Sequence, residues 1–336
     1  MPSSSDKVET VDEEKAGETV DDGKVEETAA DLHNLIHGTK VDGGKKTVWQ
    51  MTRETFGMAE GNTHKDDAMA ETLENGLEAI KTMLAEVKDE HPKWQFTLTP
   101  LDQLNATLDD LLSAFVMWSK KDGETSFNVS NAFRRLDSYA TWMEQHRSDL
   151  EAPLTVDSIR AAAHAWQLKV THATSGAVVW WIDLVSIDVA SIKSSIPLSD
   201  SLRYVVWLTH VVLLDKLTQE HGMLVVQNMG YRRMIETMTM IPMDLGTTVD
   251  RYTIGVLPIK MRACYIFNHR PWLGFLLGIT KVFMSKKMRS RMITIPPKGN
   301  PQEVIDDAIG RDNIPIGIQG LQGKLEEDVV FGQYVK

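Results

Sequence analysis

Residues 258–272 read Pro258-Ile259-Lys260-Met261-Arg262-Ala263-Cys264-Tyr265-Ile266-Phe267-Asn268-His269-Arg270-Pro271-Trp272. The run 262–267 is short, rich in apolar residues and bounded by turn formers, the pattern of a buried strand. After Pro271 the spacing of Trp272, Phe275, Leu276, Ile279 and Phe283 predicts a helix over 271–284, and 292–295 predicts the next strand. Working backwards, 178–184 and 223–227 are β-rich runs. Helical stretches at 201–220, stopped by Gly222, and at 234–257 separate them, and 302–309 reads as a last helix. Strands alternating with helices imply βαβ units and a largely parallel, buried sheet, hence an α/β fold over 155–328.

Upstream the texture is helical. Met69, Leu73, Leu77, Ile80, Leu84 and Val87 form one stripe, ended by Pro92. Thr99-Pro100 is read as the opening of a second helix, with Thr as cap and Pro in the first turn, carrying Leu101, Leu104, Leu108, Leu111, Leu112 and Phe115. A loop at Asp122-Gly123 leads to a third stripe, Val129, Ala132, Phe133, Leu136, Tyr139, Ala140 and Met143. A helical domain over 49–150 follows. Residues 1–48 contain no aromatic, and 1–31 hold eleven acids against three Lys. Such a segment buries too little apolar surface to offset ordering, so a disordered acidic leader is expected.

Charge is distributed unevenly. The chain carries a formal net charge of −11, yet 251–302 holds ten Lys or Arg and no Asp or Glu. A local excess against the background implies a face that meets an anion. Lys260 and Arg262 are two apart and share a face of a strand; Lys287 and Arg291 are four apart and share a face of a helix. Beside an apolar helix this favours an anionic membrane or lipid head group over nucleic acid, for which no base-stacking or zinc-finger spacing is present.

Other chemistry has little support. Asp244-Leu245-Gly246-Thr247-Thr248 resembles an ATPase phosphate loop, but in a helical context and without a second such loop. Gly317, Gly320, Gly323 and Lys324 miss the P-loop spacing. His33 and His37 have helical metal-pair spacing within the leader, without a zincin Glu. No Gly-x-Ser-x-Gly elbow occurs. The expectation is a non-enzyme with no cofactor and no metal. Cys264, the sole cysteine, sits in an apolar run and reads as a buried thiol. A reducing compartment, the absence of a visible secretory signal and the absence of a spanning apolar run make a cytoplasmic protein with peripheral membrane association the expectation.

The order of elements over roughly 100–325 resembles the CRAL-TRIO family of lipid-binding and lipid-transfer proteins. The run from Pro258 through Arg262 to Asn268 and Pro271 is similar to the family strand that ends in Asn-x-Pro. Lys281-Val282-Phe283-Met284 stands where the family has Lys-Pro-Phe-Leu, and Asn128 to Trp142 resembles its small helical domain. The resemblance implies a lipid cage whose mouth is closed by a gate helix carrying Trp272, Phe275, Leu276, Ile279, Lys281 and Phe283. In the tocopherol- and retinoid-binding branch four cations hold a phosphoinositide head group; by resemblance they fall on Lys260, Arg262, Lys287 and Arg291. Three departures stand out: Trp118-Ser119-Lys120-Lys121 with extra residues after it, 314–320 in place of the usual C-terminal Gly-rich motif, and Thr248 where members that bind phosphatidylinositol have the Glu that pairs with the gate Lys, which speaks against a phosphatidylinositol cargo. The implied partners are a hydrophobic lipid (tocopherol-like, retinoid-like or phospholipid) and an anionic membrane. The implied role is transfer of that lipid between membranes. The alternative is a protein-interaction scaffold with a vestigial cavity.

Overall fold

The computed structural model describes residues 68–104, 106–280 and 286–326, all within the unit Thr52–Lys336. The acidic leader and the His33–His37 pair lie outside the described residues. The chain is a mixed α/β protein. Its N-terminal part packs strand β1 (Met69–Ala70), helices α1 (Leu73–Val87), α2 (Pro92–Gln103) and α3 (Leu108–Ser119), strand β2 (Phe127–Asn128) and helix α4 (Val129–Gln145). Strand β1 pairs antiparallel with β2. Short α5 (Arg147–Leu150) and α6 (Val156–Trp166) lead to the sheet.

The second helix differs from the sequence reading. A helix already starts at Pro92 and contains Pro100 near its end, so Thr99 is not a cap. The stripe 101–115 belongs to two helices, and the start signal of the second is Thr107, whose hydroxyl accepts from the Asp110 N–H while the Asp110 carboxylate accepts from the Thr107 N–H. That reciprocal pair satisfies two donors that a helix start leaves orphaned. Asn128 caps α4 from one side only, its Oδ1 accepting from the Asn131 N–H at 2.7 Å.

The sheet has the order β3 (Lys169–His172), β4 (Val178–Asp183), β5 (Met223–Asn228), β6 (Met261–Phe267), β7 (Met292–Thr294). Strands β3 and β4 form an antiparallel hairpin; β4 to β7 are parallel. The crossover β4–β5 uses α7 (Val189–Ser194), α8 (Leu198–Leu214) and α9 (Lys216–His221). The crossover β5–β6 uses α10 (Met234–Thr239), α11 (Met243–Asp250) and a π-helical turn, Arg251–Val256. The crossover β6–β7 uses α12 (Pro271–Thr280) and α13 (Lys286–Arg291). Val205, Tyr252, Leu273 and Leu277 from these crossovers join one core with Trp180, Cys264 and Ile266, so all three lie on one face of the sheet. Helix α14 (Pro301–Ile309) covers the other face, where Ile305 and Ile309 meet Trp181, Val226 and Phe267.

Two further readings change. The helix expected over 201–220 is broken at Asp215, whose carboxylate accepts from the N–H groups of Leu217 and Thr218 and restarts the chain as α9. Residues 244–248 lie inside α11, so they form a helix and not a phosphate loop.

A buried polar knot ties the helical layer to the sheet crossovers. The Tyr139 hydroxyl of α4 hydrogen-bonds His210 Nε2 on α8. His210 Nδ1 lies 2.7 Å from the Val206 carbonyl, and Tyr252 Oη accepts from the Thr209 hydroxyl at 3.1 Å. Trp142 stacks on Tyr252 with ring centroids 4.2 Å apart. Burial pushes the His210 imidazole down from 6.5 to about 4, so it is neutral in the folded chain at neutral pH.

This sets a pH dependence. Between pH 6.5 and about 4 the unfolded chain takes up a proton that folded His210 refuses. Stability from this group is full above pH 6.5 and is lost as pH falls towards 4, by at most about 1.4 kcal/mol per pH unit. Asp250, raised by burial to about 6, acts in the opposite sense, because the folded state holds a proton that the unfolded state releases. The His210 contribution is therefore read as a difference. The stability gap between the wild type and His210→Gln in urea unfolding is expected to narrow by about 2 kcal/mol from pH 7 to pH 4.5; a constant gap refutes it.

Candidate functional site

Four cations that are far apart in sequence meet at the N-terminal end of β6. Lys260 and Arg262 lie at the start of that strand. Lys287 and Arg291 come from α13, which packs beside it. Three of them converge on Asp122, in the loop between α3 and β2. Arg262 Nη1 is 2.8 Å from Asp122 Oδ1, Lys287 Nζ is 3.6 Å from Oδ2, and Arg291 Nη2 is 3.9 Å from Oδ2. Lys260 Nζ donates to the Lys120 carbonyl at the base of the same loop.

The backbone around this point is built for close approach. Arg262 Nε donates to the His221 carbonyl at 2.9 Å. The next residue, Gly222, has φ +80, and a Cβ there would lie 2.4 Å from the Lys260 carbonyl oxygen and 3.0 Å from Arg262 Nε. Only glycine fits that left-handed, crowded position. Below the loop, the Arg135 guanidinium lies 4.7 Å from the Trp118 ring centre and donates to the carbonyls of Ile254 and Leu257 at 3.0 and 2.7 Å. Burial pushes Arg135 down to about 10, so it remains a cation.

The electrostatics follow from like charges at short range. The hydrogen bond from Arg262 holds the Asp122 carboxyl below its usual range against a partial burial penalty, with the charges of Arg262, Lys287 and Lys260 adding to it. Lys260 is pushed down by burial first and then by Arg262, Lys287 and Lys120, with Asp122 opposing. Arg291 is also lowered, by burial and then by Arg262, against Asp122. Each cation disfavours the next, and an added anion relieves all of them.

The expected gate residues are placed as follows. Helix α12 follows the C-terminal end of β6. Among its described side chains Leu273 and Leu277 are buried, while Trp272 and Leu276 are half-buried beside them. Trp272 Nε1 donates to the Arg232 carbonyl at 3.0 Å. Phe275 points away from the core and is 62% exposed, so the stripe read from the sequence is not the inward face. Of Ile279 only the backbone, within α12, is described; Lys281 and Phe283 lie outside the described residues. Tyr231, Ile235 and Met243 are also exposed, on segments after β5, and Arg270 Nε binds the Tyr231 carbonyl, which joins that region to the start of α12.

The sheet face under the crossovers is not fully covered. Val225 and Gln227 on the central strand, with Ile182 on the neighbouring β4, are half-buried among the buried Trp180, Cys264 and Ile266, whereas on the opposite face Val179, Trp181, Leu224, Val226 and Phe267 are buried and Tyr265 is half-buried. A central strand exposes side chains only where there is space above it. Asp250 is exposed by area, yet enough protein surrounds its carboxyl to raise it to about 6. Cys264 is buried with its thiol pushed up to about 12, as a core thiol. Lys324 pairs with Asp312 at 2.8 Å, outside any phosphate cradle.

Asp122, Gly222 and the His221 carbonyl were not identified from the sequence. Asp122 entered the sequence reading only as part of a loop and Gly222 only as a helix stop; nothing in periodicity pointed to a role at the site for either or for the carbonyl.

No family model matches the chain, and no curated protein matches it. Among solved structures, one titled "Crystal structure of Sfh5" is similar over 82% of this chain and 93% of that chain, with a TM-score of 0.43 and 12% identity. A likeness at that level leaves the functional argument with the side chains themselves. Fold and site define an α/β protein with helices on both faces of its sheet and a cationic cluster at one end of it.

Gly222→Ala is expected to cost about 2 kcal/mol or more in urea unfolding, because the added methyl meets backbone oxygen and the φ is strained. A variant with unchanged stability would show that the close approach is not needed.

Proposed function

We propose that the protein binds a hydrophobic lipid in the recess between the sheet and α12, and carries it between membranes. The basic cluster docks the protein on phosphoinositide-bearing bilayer. The observation that carries this reading is the convergence of Arg262, Lys287 and Arg291 on a single acidic side chain, with Lys260 adding its charge beside them. Four cations held together beside one carboxylate leave positive charge unmatched. A phosphorylated head group supplies several oxygens to such a set, bidentate for Arg.

Three further features support it. The half-buried residues of the central strand leave space for an apolar ligand, whose burial contributes about 25 cal/mol per Å². The exposed side chains of Tyr231, Ile235, Met243 and Phe275 suit an interfacial face. The resemblance to the CRAL-TRIO sequence pattern pairs these two properties in one molecule. Strand β6 rises about 17 Å from Arg262 to Phe267 at roughly 3.3 Å per residue, and the crossover from α12 to α13 must bring the chain back over that length. The lid and the cluster are therefore two ends of one connection, and head-group binding at α13 can shift the population of lid positions.

Lys260→Ala with Arg262→Ala is expected to weaken co-flotation with phosphoinositide-containing phosphatidylcholine vesicles about thirtyfold at low salt, from about 1 kcal/mol per cation. Lipid recovered by organic extraction from the purified variant should be unchanged. Equal flotation removes the docking role. Absence of any stoichiometric lipid in extracts of native-source protein favours the interaction-scaffold alternative.

A further inference from the structure

The carboxylate at the centre of the cluster has features of a removable stopper. Asp122 uses both oxygens: Oδ1 is 2.8 Å from Arg262, and Oδ2 lies between Lys287 at 3.6 Å and Arg291 at 3.9 Å. It thus stands where an anionic ligand would place its own oxygens. The two longer distances exceed those of a good charge-assisted hydrogen bond, so α13 attracts this carboxylate without closing on it.

The loop around it is otherwise barely attached. From Lys121 to Ser126, Asp122 alone has a side-chain partner elsewhere among the described residues. Lys121 and Glu124 pair with each other at 3.5 Å, and the Glu124 N–H closes a turn on the Lys121 carbonyl. Residues 121–125 are exposed. Gly123 has φ +84, and a Cβ built there would meet nothing within 4 Å, so the tip of the turn packs against nothing. The loop is fixed at its start, where the Lys120 carbonyl accepts from Lys260 and the Lys120 ammonium lies 5.3 Å from the Phe127 ring centre. What holds the tip down is charge.

We propose that Asp122 is a built-in competitor that keeps the cluster occupied until a multiply phosphorylated anion displaces it, the turn at Asp122-Gly123 swinging out into solvent. This rests on the reading of the cluster as a phosphoinositide-docking site and adds its regulation. With Asp122 seated, four cations face one negative charge. A weak or singly charged anion gains little by displacing it, whereas a polyphosphorylated head group replaces one carboxylate with several oxygens and relieves the mutual repulsion of Lys260, Arg262 and Arg291. The device sets an affinity threshold, so the protein ignores ordinary anionic surface and stays on polyphosphorylated membrane.

The test compares the full chain with Asp122→Asn and with Asp122→Glu, which retains the charge. The probes are inositol trisphosphate in solution and phosphatidylcholine vesicles with and without phosphatidylinositol bisphosphate. Circular dichroism melting checks that all three are folded; the turn is exposed, so they are expected to melt alike. Asp122→Asn is expected to bind both phosphorylated probes about tenfold more tightly, with a steeper loss of affinity as salt rises, because exposed pairs of this kind are each weak but three are removed together. It is also expected to gain binding to phosphatidylserine vesicles that the wild type ignores, while Asp122→Glu stays near wild type. Binding by the wild type with no gain in Asp122→Asn overturns the stopper and leaves the docking site standing. Weaker binding by Asp122→Asn also overturns it, since the carboxylate would then be organising the cations. No binding of either probe by any form overturns the docking reading and the stopper together. Tight binding of inositol trisphosphate without a preference for bisphosphorylated vesicles assigns the site to a soluble phosphate instead of a membrane and overturns the membrane threshold.

Discussion

A parallel connection returns the chain to the end of the sheet from which the first strand set out, and the site depends on that constraint. Strands β6 and β7 run the same way, with Cys264 opposite Met292. The segment between them therefore has to come back past the start of β6. Lys260 and Arg262 are at that start; Lys287 and Arg291 are on α13, the last helix before β7. Residues some 25 positions apart in the chain become neighbours because topology leaves them no other place. The preceding crossovers add to it. With every connection on one face, α8, the π-helical turn and α12 share a single layer, and the opposite face is left to α14.

Gathering four cations costs electrostatic energy, and the surroundings show how it is offset. Carbonyl oxygens of His221 and Lys120 accept from Arg262 and Lys260. Gly222 allows the chain close enough for the first of these. Asp122 supplies the one full negative charge, and its carboxyl is correspondingly held in the ionised form. These compensations are polar and partly solvated, not a buried ion pair of large desolvation cost, which suits a site that exchanges one anion for another.

Much of the fold was legible because the sheet strands are short apolar runs between turn formers; 262–267 and 223–227 match β6 and β5 to within a residue. The hairpin partner β3 was not seen, since Lys169, Thr171 and His172 give it no apolar signature; Trp181 Nε1 donating to the Thr171 hydroxyl is a tertiary matter. Thr99-Pro100 misled because a cap motif says where a helix can begin, not whether one is already under way. The four cations were legible as a charge anomaly. The inward face of α12 was not, because Pro271–Thr280 is apolar nearly all round and periodicity cannot choose a side; burial of Leu273 and Leu277 does. Asp122 was out of reach for a related reason: a lone acid in a loop has no period, and its meaning comes from what the topology brings to it.

Arg135 bears on the mechanics of the site. Its guanidinium lies over Trp118, in the last turn of α3, and bonds the carbonyl of Leu257, three residues ahead of Lys260. One buried cation thus rivets together the roots of both segments that meet at the cluster. Flexing on one side of that fastening cannot propagate into the lead of β6, so the molecule can let a surface turn come and go while the floor beneath keeps its dimensions. A receptor built in this way is tuned by what is released from it, with little need to reshape what stays.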